Sequence, residues 1–144
     1  MTIEATQAEI HHIYEQWHES VKGRDLEALM ALYAEEAILE SPLILATLPE
    51  NQSGILTGKT AITSFFAAGL RAPPGNLGRW YRAGTFFCNG TQLTWEYPRQ
   101  TPDGDQVDLV EMMDIADGLI SHHRVYWGWV GFRSLHALLA KPHG

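Results

Sequence analysis

Glu111 stands in the run Leu109-Val110-Glu111-Met112-Met113, where its neighbours two residues away on either side are apolar. A carboxylate on an apolar strand face loses hydration, and burial of that kind makes a candidate general acid or base. The plainer possibility is a structural carboxylate paired with Arg82, Arg124 or the Trp95 N–H. Further along, His122 and His123 are adjacent, and strand alternation sends them to opposite faces. Whichever shares a face with Glu111 would complete a proton-handling pair, because an imidazole titrates near neutrality. It could equally be a hydrogen-bonded wall residue.

Other chemistries find less support. His11 and His18 lie two turns apart on a predicted helix and are too few to hold a metal, so none is expected. Cys88 sits beside a turn with no histidine nearby, which argues against a thiolate nucleophile. Gly84 and Gly90 read as turn or packing glycines. No Gly-rich phosphate loop is present, and no cofactor is expected.

The totals bound the class. A chain of 144 residues is one domain by length and can bury a core without staples. Its net charge of -7, with only 10 Lys+Arg spread along it, argues against nucleic acid. One cysteine cannot make an internal disulfide, which fits a reducing cytoplasm. No signal-peptide pattern opens the chain, and no apolar run approaches the roughly 20 residues that span a bilayer, so no membrane partner is expected.

These residues need elements to position them. Ile10, Ile13, Tyr14, Trp17 and Val21 form one stripe of a helix over residues 7–22, which Gly23 can end. Asp25 reads as the N-cap of a second helix with Leu26, Leu29, Met30 and Tyr33 on its apolar side. Residues 37–41 look like a short strand stopped by Pro42. Residues 42–57 read as an unusually apolar loop that could act as a lid. Residues 58–70 read as a third helix burying Ile62, Phe65, Phe66 and Leu70, broken by the Pro and Gly residues that follow.

The remainder reads as four strands, over residues 79–88, 92–100, 107–116 and 119–130. Asn89-Gly90, Pro102-Asp103-Gly104 and Asp117-Gly118 make the turns. A short C-terminal helix spans 134–141. The whole is an α+β fold with a curved antiparallel sheet wrapped around the N-terminal helices.

Register turns this into a site. The Pro-Asp-Gly loop predicts Trp95 opposite Glu111, Tyr97 opposite Leu109 and Leu93 opposite Met113; a slip of one residue would invert every side chain. Arg82, Gly84 and Phe86 then join the same face. On the last strand we take His123, Val125 and Trp127 as inward, although a two-residue Asp-Gly turn favours His122, Arg124 and Tyr126. Large apolar walls with few ionisable groups are the composition of a small-molecule pocket. Glu111 and His123 are the candidate catalytic pair. Tyr14, Trp17, Ser41, Phe65, Arg82, Trp95, Tyr97, Met113 and Trp127 are the candidate contacts to a small hydrophobic ligand. Val110, Met112, Thr94 and Glu96 face outward on a semi-apolar surface.

Three segments carry a family resemblance: GRDLEALMALYAEEAILESPL, TGKTAITSFF and VDLVEMMDIADGLISHHRVYWGW. They resemble, in order, the helix-to-strand segment, a helix start and the final hairpin of the SnoaL-like branch of the nuclear transport factor 2-like superfamily. That is the cone-shaped, cystatin-like fold shared with ketosteroid isomerase, built around a central pocket. The resemblance implies cofactor-free proton transfer of isomerase, cyclase or dehydratase type on a hydrophobic cyclic or polyketide-like molecule, or else a non-catalytic binding or assembly module. With the semi-apolar outer surface, it also implies a homodimer through the sheet. Residue by residue, the isomerase's general-base Asp falls on Ser41, which cannot be a base. Its oxyanion-hole Tyr falls on Trp17, and its protonated oxyanion-hole Asp on Glu111. The acid/base Asp of SnoaL-like cyclases has no counterpart in His122-His123-Arg124-Val125-Tyr126-Trp127-Gly128, which leaves His123 or His122 as substitute.

Overall fold

In the computed structural model, residues 3–73 and 84–141 are described. Helix α1 (Ile3–Lys22) buries Ile10, Ile13, Tyr14 and Trp17 along the predicted stripe. Each such side chain contributes about 1.5–3 kcal/mol when fully buried. The helix stops where Gly23 N donates to Glu19 O and Arg24 turns into the left-handed region. Asp25 caps α2 (Leu26–Met30), its carboxylate accepting from Ala28 N at 3.0 Å.

Tyr33, expected on the second helix, instead begins strand β1 (Tyr33–Glu40). A helix this short cannot propagate by itself. Ile120 N captures the Leu32 carbonyl at 2.8 Å, so strand pairing takes over four residues earlier than the predicted start at Ala37.

Residues 42–57 are not a lid loop. They hold the short helix α3 (Leu43–Thr47) and strand β2 (Ile55–Thr57). The Ser41 hydroxyl accepts from Leu43 N at 3.2 Å and its carbonyl from Ile44 N at 3.1 Å. That turns the apolar run inward and buries Ile44 completely. Helix α4 (Lys59–Arg71) matches its predicted span, but only Ile62 of its apolar side is fully buried; Phe65, Phe66 and Leu70 are half-buried.

Then come β3 (Phe87–Cys88), β4 (Gln92–Tyr97), β5 (Gln100–Thr101), β6 (Gly104–Asp105), β7 (Leu109–Ala116), β8 (Leu119–Trp127) and α5 (Trp129–Leu139). Of the strand predicted over 79–88, residues 79–83, Arg82 included, lie outside the described residues. Strand β4 ends at Tyr97 because Pro98 has no N–H to donate, and Gln100 and Thr101 pair instead with β6 as a separate ribbon. Helix α5 starts at Trp129, not Ser134. Asp108 initiates it, its carboxylate accepting from Gly131 N at 2.8 Å and its carbonyl from Gly128 N at 2.8 Å. Glycine is needed at 131, where a Cβ would lie 2.6 Å from the Asp108 carbonyl oxygen.

The main sheet runs β2-β1-β8-β7-β4-β3. β1 is parallel to β8 and the other pairs are antiparallel. The sheet is curved and unclosed, and its concave face packs on α1 in an α+β arrangement. No described helix is long and apolar enough to cross a membrane.

Candidate functional site

The β4–β7 register is the one the Pro-Asp-Gly loop predicts: Trp95 pairs with Glu111, Tyr97 with Leu109 and Leu93 with Met113. The last hairpin is less simple. The Asp117-Gly118 turn joins Ala116 to Leu119 and Ile115 to Ile120, which continued would set His122 beside Met113. A bulge at Ser121, whose hydroxyl donates to the Asp114 carbonyl at 3.0 Å, adds one residue to β8. Beyond it Met113 pairs with His123 and Glu111 with Val125. The turn and the inward His123 are therefore both as the sequence suggested, and the bulge reconciles them.

His123 is 1% exposed and Glu111 8%. His123 Nε2 lies 2.7 Å from Glu111 Oε1, and His123 Nδ1 lies 2.9 Å from the Tyr33 hydroxyl. The Trp17 indole N–H donates to that hydroxyl at 3.2 Å. Four elements, α1, β1, β8 and β7, thus contribute one side chain each to a buried chain of hydrogen bonds. Burial pushes the Tyr33 phenol above its ordinary pKa, so it stays protonated and able to donate. The second carboxylate oxygen of Glu111 has no hydrogen-bond partner among the described residues.

Aromatic rings wall this chain. Trp17 meets Trp95 edge-on at 5.2 Å between centroids, and Tyr14 meets Trp95 at 5.4 Å. Phe86 stacks on Tyr14 at 4.3 Å, and the Tyr14 hydroxyl accepts from Gly84 N. Burial raises the Tyr97 phenol, with the Glu111 charge adding to it. The Trp95 indole N–H is buried with no acceptor in hydrogen-bonding geometry, though it lies near enough to Tyr97 to favour the phenolate slightly. His18 packs over Trp95 at 4.8 Å, and burial lowers its pKa despite a bond from its ring to the Tyr14 carbonyl.

Not every candidate joins this group. Trp127 is half-buried and its N–H donates to the Ser41 hydroxyl at 3.4 Å. Ser41, already engaged by Leu43 N, organises α3. Phe65 packs edge-on against Phe66 at 5.3 Å, and Phe66 reaches Tyr33 at 5.8 Å. Met113 lies beside His123 in the sheet, and Arg82 falls outside the described residues. Glu111 takes its bond from His123 and not from Arg124, which forks onto Asp114 on the outer face with both contacts at 2.9 Å. His122 pairs there with Glu40, so each face of the sheet carries one Glu–His pair. Among the described residues no three His, Cys, Asp or Glu side chains are placed to hold a metal ion.

Sequence reasoning missed Tyr33. Its signal was a tyrosine two residues into a break in helical spacing, with apolar Ala37 and Leu39 after it. The irregular β1–β8 pairing between Tyr33 and Ile38 interrupts the alternation that would have marked a strand. Asp108 was also missed, because a carboxylate that caps a helix far along the chain has no local pattern.

Comparison with known proteins places this geometry. A protein assigned provisionally as a ketosteroid isomerase, from Kribbella flavida, superposes with a TM-score of 0.58 at 20% identity, covering 85% of this chain and 79% of that one. A SnoaL-like protein of unknown function from Burkholderia thailandensis gives 0.64 at 17% identity, over 85% and 98%. A protein assigned provisionally as a polyketide cyclase, from Xanthomonas campestris, gives 0.59 at 16% identity, over 94% and 99%. At such identities the likeness is one of fold. No curated protein matches the sequence. The SnoaL-like domain model matches residues 14–123, from Tyr14 on α1 to His123 on β8, and the chain belongs to the SnoaL-like family.

Proposed function

We propose that the protein binds a small hydrophobic, cyclic or polyketide-like molecule against its aromatic inner face and moves a proton on it without a cofactor. The observation that carries this reading is Glu111: buried, bonded to His123 through one oxygen, with the other oxygen unclaimed by the described protein groups. That oxygen can take a proton from an activated C–H and return it to another carbon of the same molecule, which is isomerisation; where the carbanion first adds to a carbonyl of the same molecule and the proton goes to the resulting alkoxide, the outcome is cyclisation. It can also deliver the proton to a departing hydroxyl, which is loss of water. His123 holds the carboxylate in place, while Trp17, Trp95 and Tyr14 supply apolar walls. A general acid–base group of this kind contributes about 10²–10⁴-fold to rate.

Ligand binding without turnover is the second reading. Ser41 favours it, since the position where the resembling isomerase keeps its base holds a hydroxyl already engaged with backbone and indole N–H groups. A panel of cyclic ketones and hydroxyketones in D2O separates the two. Proton transfer predicts protein-dependent deuterium incorporation or product, absent with Glu111→Gln. Pure binding predicts a thermal shift by a panel member with neither.

A further inference from the structure

Hydrogen-bond accounting along the buried chain fixes where its protons sit. An indole N–H only donates, so the Tyr33 oxygen accepts from Trp17 at 3.2 Å. The Tyr33 hydroxyl hydrogen then needs an acceptor, and His123 Nδ1 at 2.9 Å is the remaining partner of that hydroxyl among the described residues. With Nδ1 accepting, the imidazole proton is on Nε2 and points at Glu111 Oε1, 2.7 Å away, which must accept it. A protonated imidazole would donate to Tyr33 from Nδ1 and strand the buried Tyr33 O–H without an acceptor, an unfavourable outcome in a low-dielectric site.

We infer that Tyr33 is a positioning residue that holds His123 in its neutral, Nε2-protonated tautomer, so that the imidazole N–H is donated to Glu111 and orients its carboxyl group. This inference rests on the proton-transfer reading for its functional meaning and on the chain geometry for its content. The groups facing the pair come from every packed element. Tyr33 on β1 and Tyr97 on β4 are phenols raised by burial, and His18 on α1 is kept towards its neutral form. None of them supplies a compensating cation. In a tautomer-locked pair the imidazole orients the carboxylate and a second-partner bond sets the imidazole, the logic by which a third group serves a catalytic pair.

The test is nitrogen NMR of the full chain carrying 15N-labelled histidine at neutral pH. The wild type should show His123 with Nε2 protonated and Nδ1 unprotonated, and Trp17→Phe should preserve that state because the Tyr33 O–H still donates. Tyr33→Phe removes the donor to Nδ1 found among the described residues, and His123 should change to a tautomer mixture or an imidazolium paired with Glu111. A wild-type His123 protonated on Nδ1 overturns the inference without any variant. So does an unchanged His123 signature in folded Tyr33→Phe, or an equal change in Trp17→Phe. The outcome is separable from the fate of the proposed function: Glu111→Gln can leave turnover intact while the tautomer is as inferred, and the tautomer can be wrong while Glu111 is still required.

Discussion

His123 lies beside Met113 on the concave face only because Ser121 is bulged out of β8. Side chains alternate with period two, so one extra residue inverts the face of everything after it. Deleting Ser121 should remove the bulge and leave the rest of the ladder in place, with His122 beside Asp114 and His123 still inward beside Met113. Arg124 would stay on the outer face, and we expect cooperative unfolding and dispersed methyl signals to be retained. Loss of cooperative unfolding, or a face inverted so that His122 points inward, would contradict the assignment of the bulge.

The His18 imidazole is held below its ordinary pKa mainly by burial. Its folded-state pKa is therefore lower than its unfolded value near 6.5, and the unfolded chain binds the extra proton. The fold keeps this contribution above that unfolded value and loses it as pH falls below it. Thermal unfolding of His18→Gln should accordingly fall off less than wild type between about pH 7 and pH 5. Parallel curves would refute the burial argument.

Asp114 titrates in a separate window. The Arg124 fork holds its pKa below the usual carboxylate value. That stabilisation is present above the unfolded value of 3.8 and lost as pH falls through the folded one. Asp114→Asn should flatten the acid limb below about pH 4 and leave the limb near neutrality unchanged. Because the pair is partly exposed, the effect at neutral pH should also shrink in high salt.

Gly131 and Asp108 fix the start of α5. Gly131→Ala forces a Cβ against the Asp108 carbonyl, a backbone atom immediately before β7 that has little room to yield. A destabilisation of about 1–3 kcal/mol is expected in urea unfolding. Asp108→Ala should lower stability by about 0.5–2 kcal/mol through loss of the cap. Neither should move Glu111, so a change confined to stability is the expected result.

Much of the frame was legible in the sequence because it depends on short-range signals. The 3.6-residue stripe from Ile10 to Trp17, the Asp25 cap and the Pro-Asp-Gly loop each act over a few residues, and each led to the right place. The Trp95–Glu111 pairing followed from one turn. What escaped depends on distant partners. Tyr33 is a strand residue because β8 captures the preceding carbonyl, and its hydroxyl is part of the site because His123 reaches it from the far end of the chain. Leu43 to Thr47 looked like a lid because nothing local shows that Ile44 is buried. The choice between His122 and His123 stayed open because turn and strand pattern disagreed, and a bulge is visible only once both strands are paired.

The two faces of the sheet supply a matched comparison for the central claim, that the inward Glu111–His123 pair carries the function. Glu40 and His122 form a like pair on the outer face. The deciding measurement is the rate of deuterium incorporation from D2O into a cyclic ketone that the wild type turns over, compared across Glu111→Gln and Glu40→Gln. The account predicts a loss of at least about 10²-fold for Glu111→Gln and a near-wild-type rate for Glu40→Gln. Equal rates in all three proteins, or a loss confined to Glu40→Gln, would contradict it.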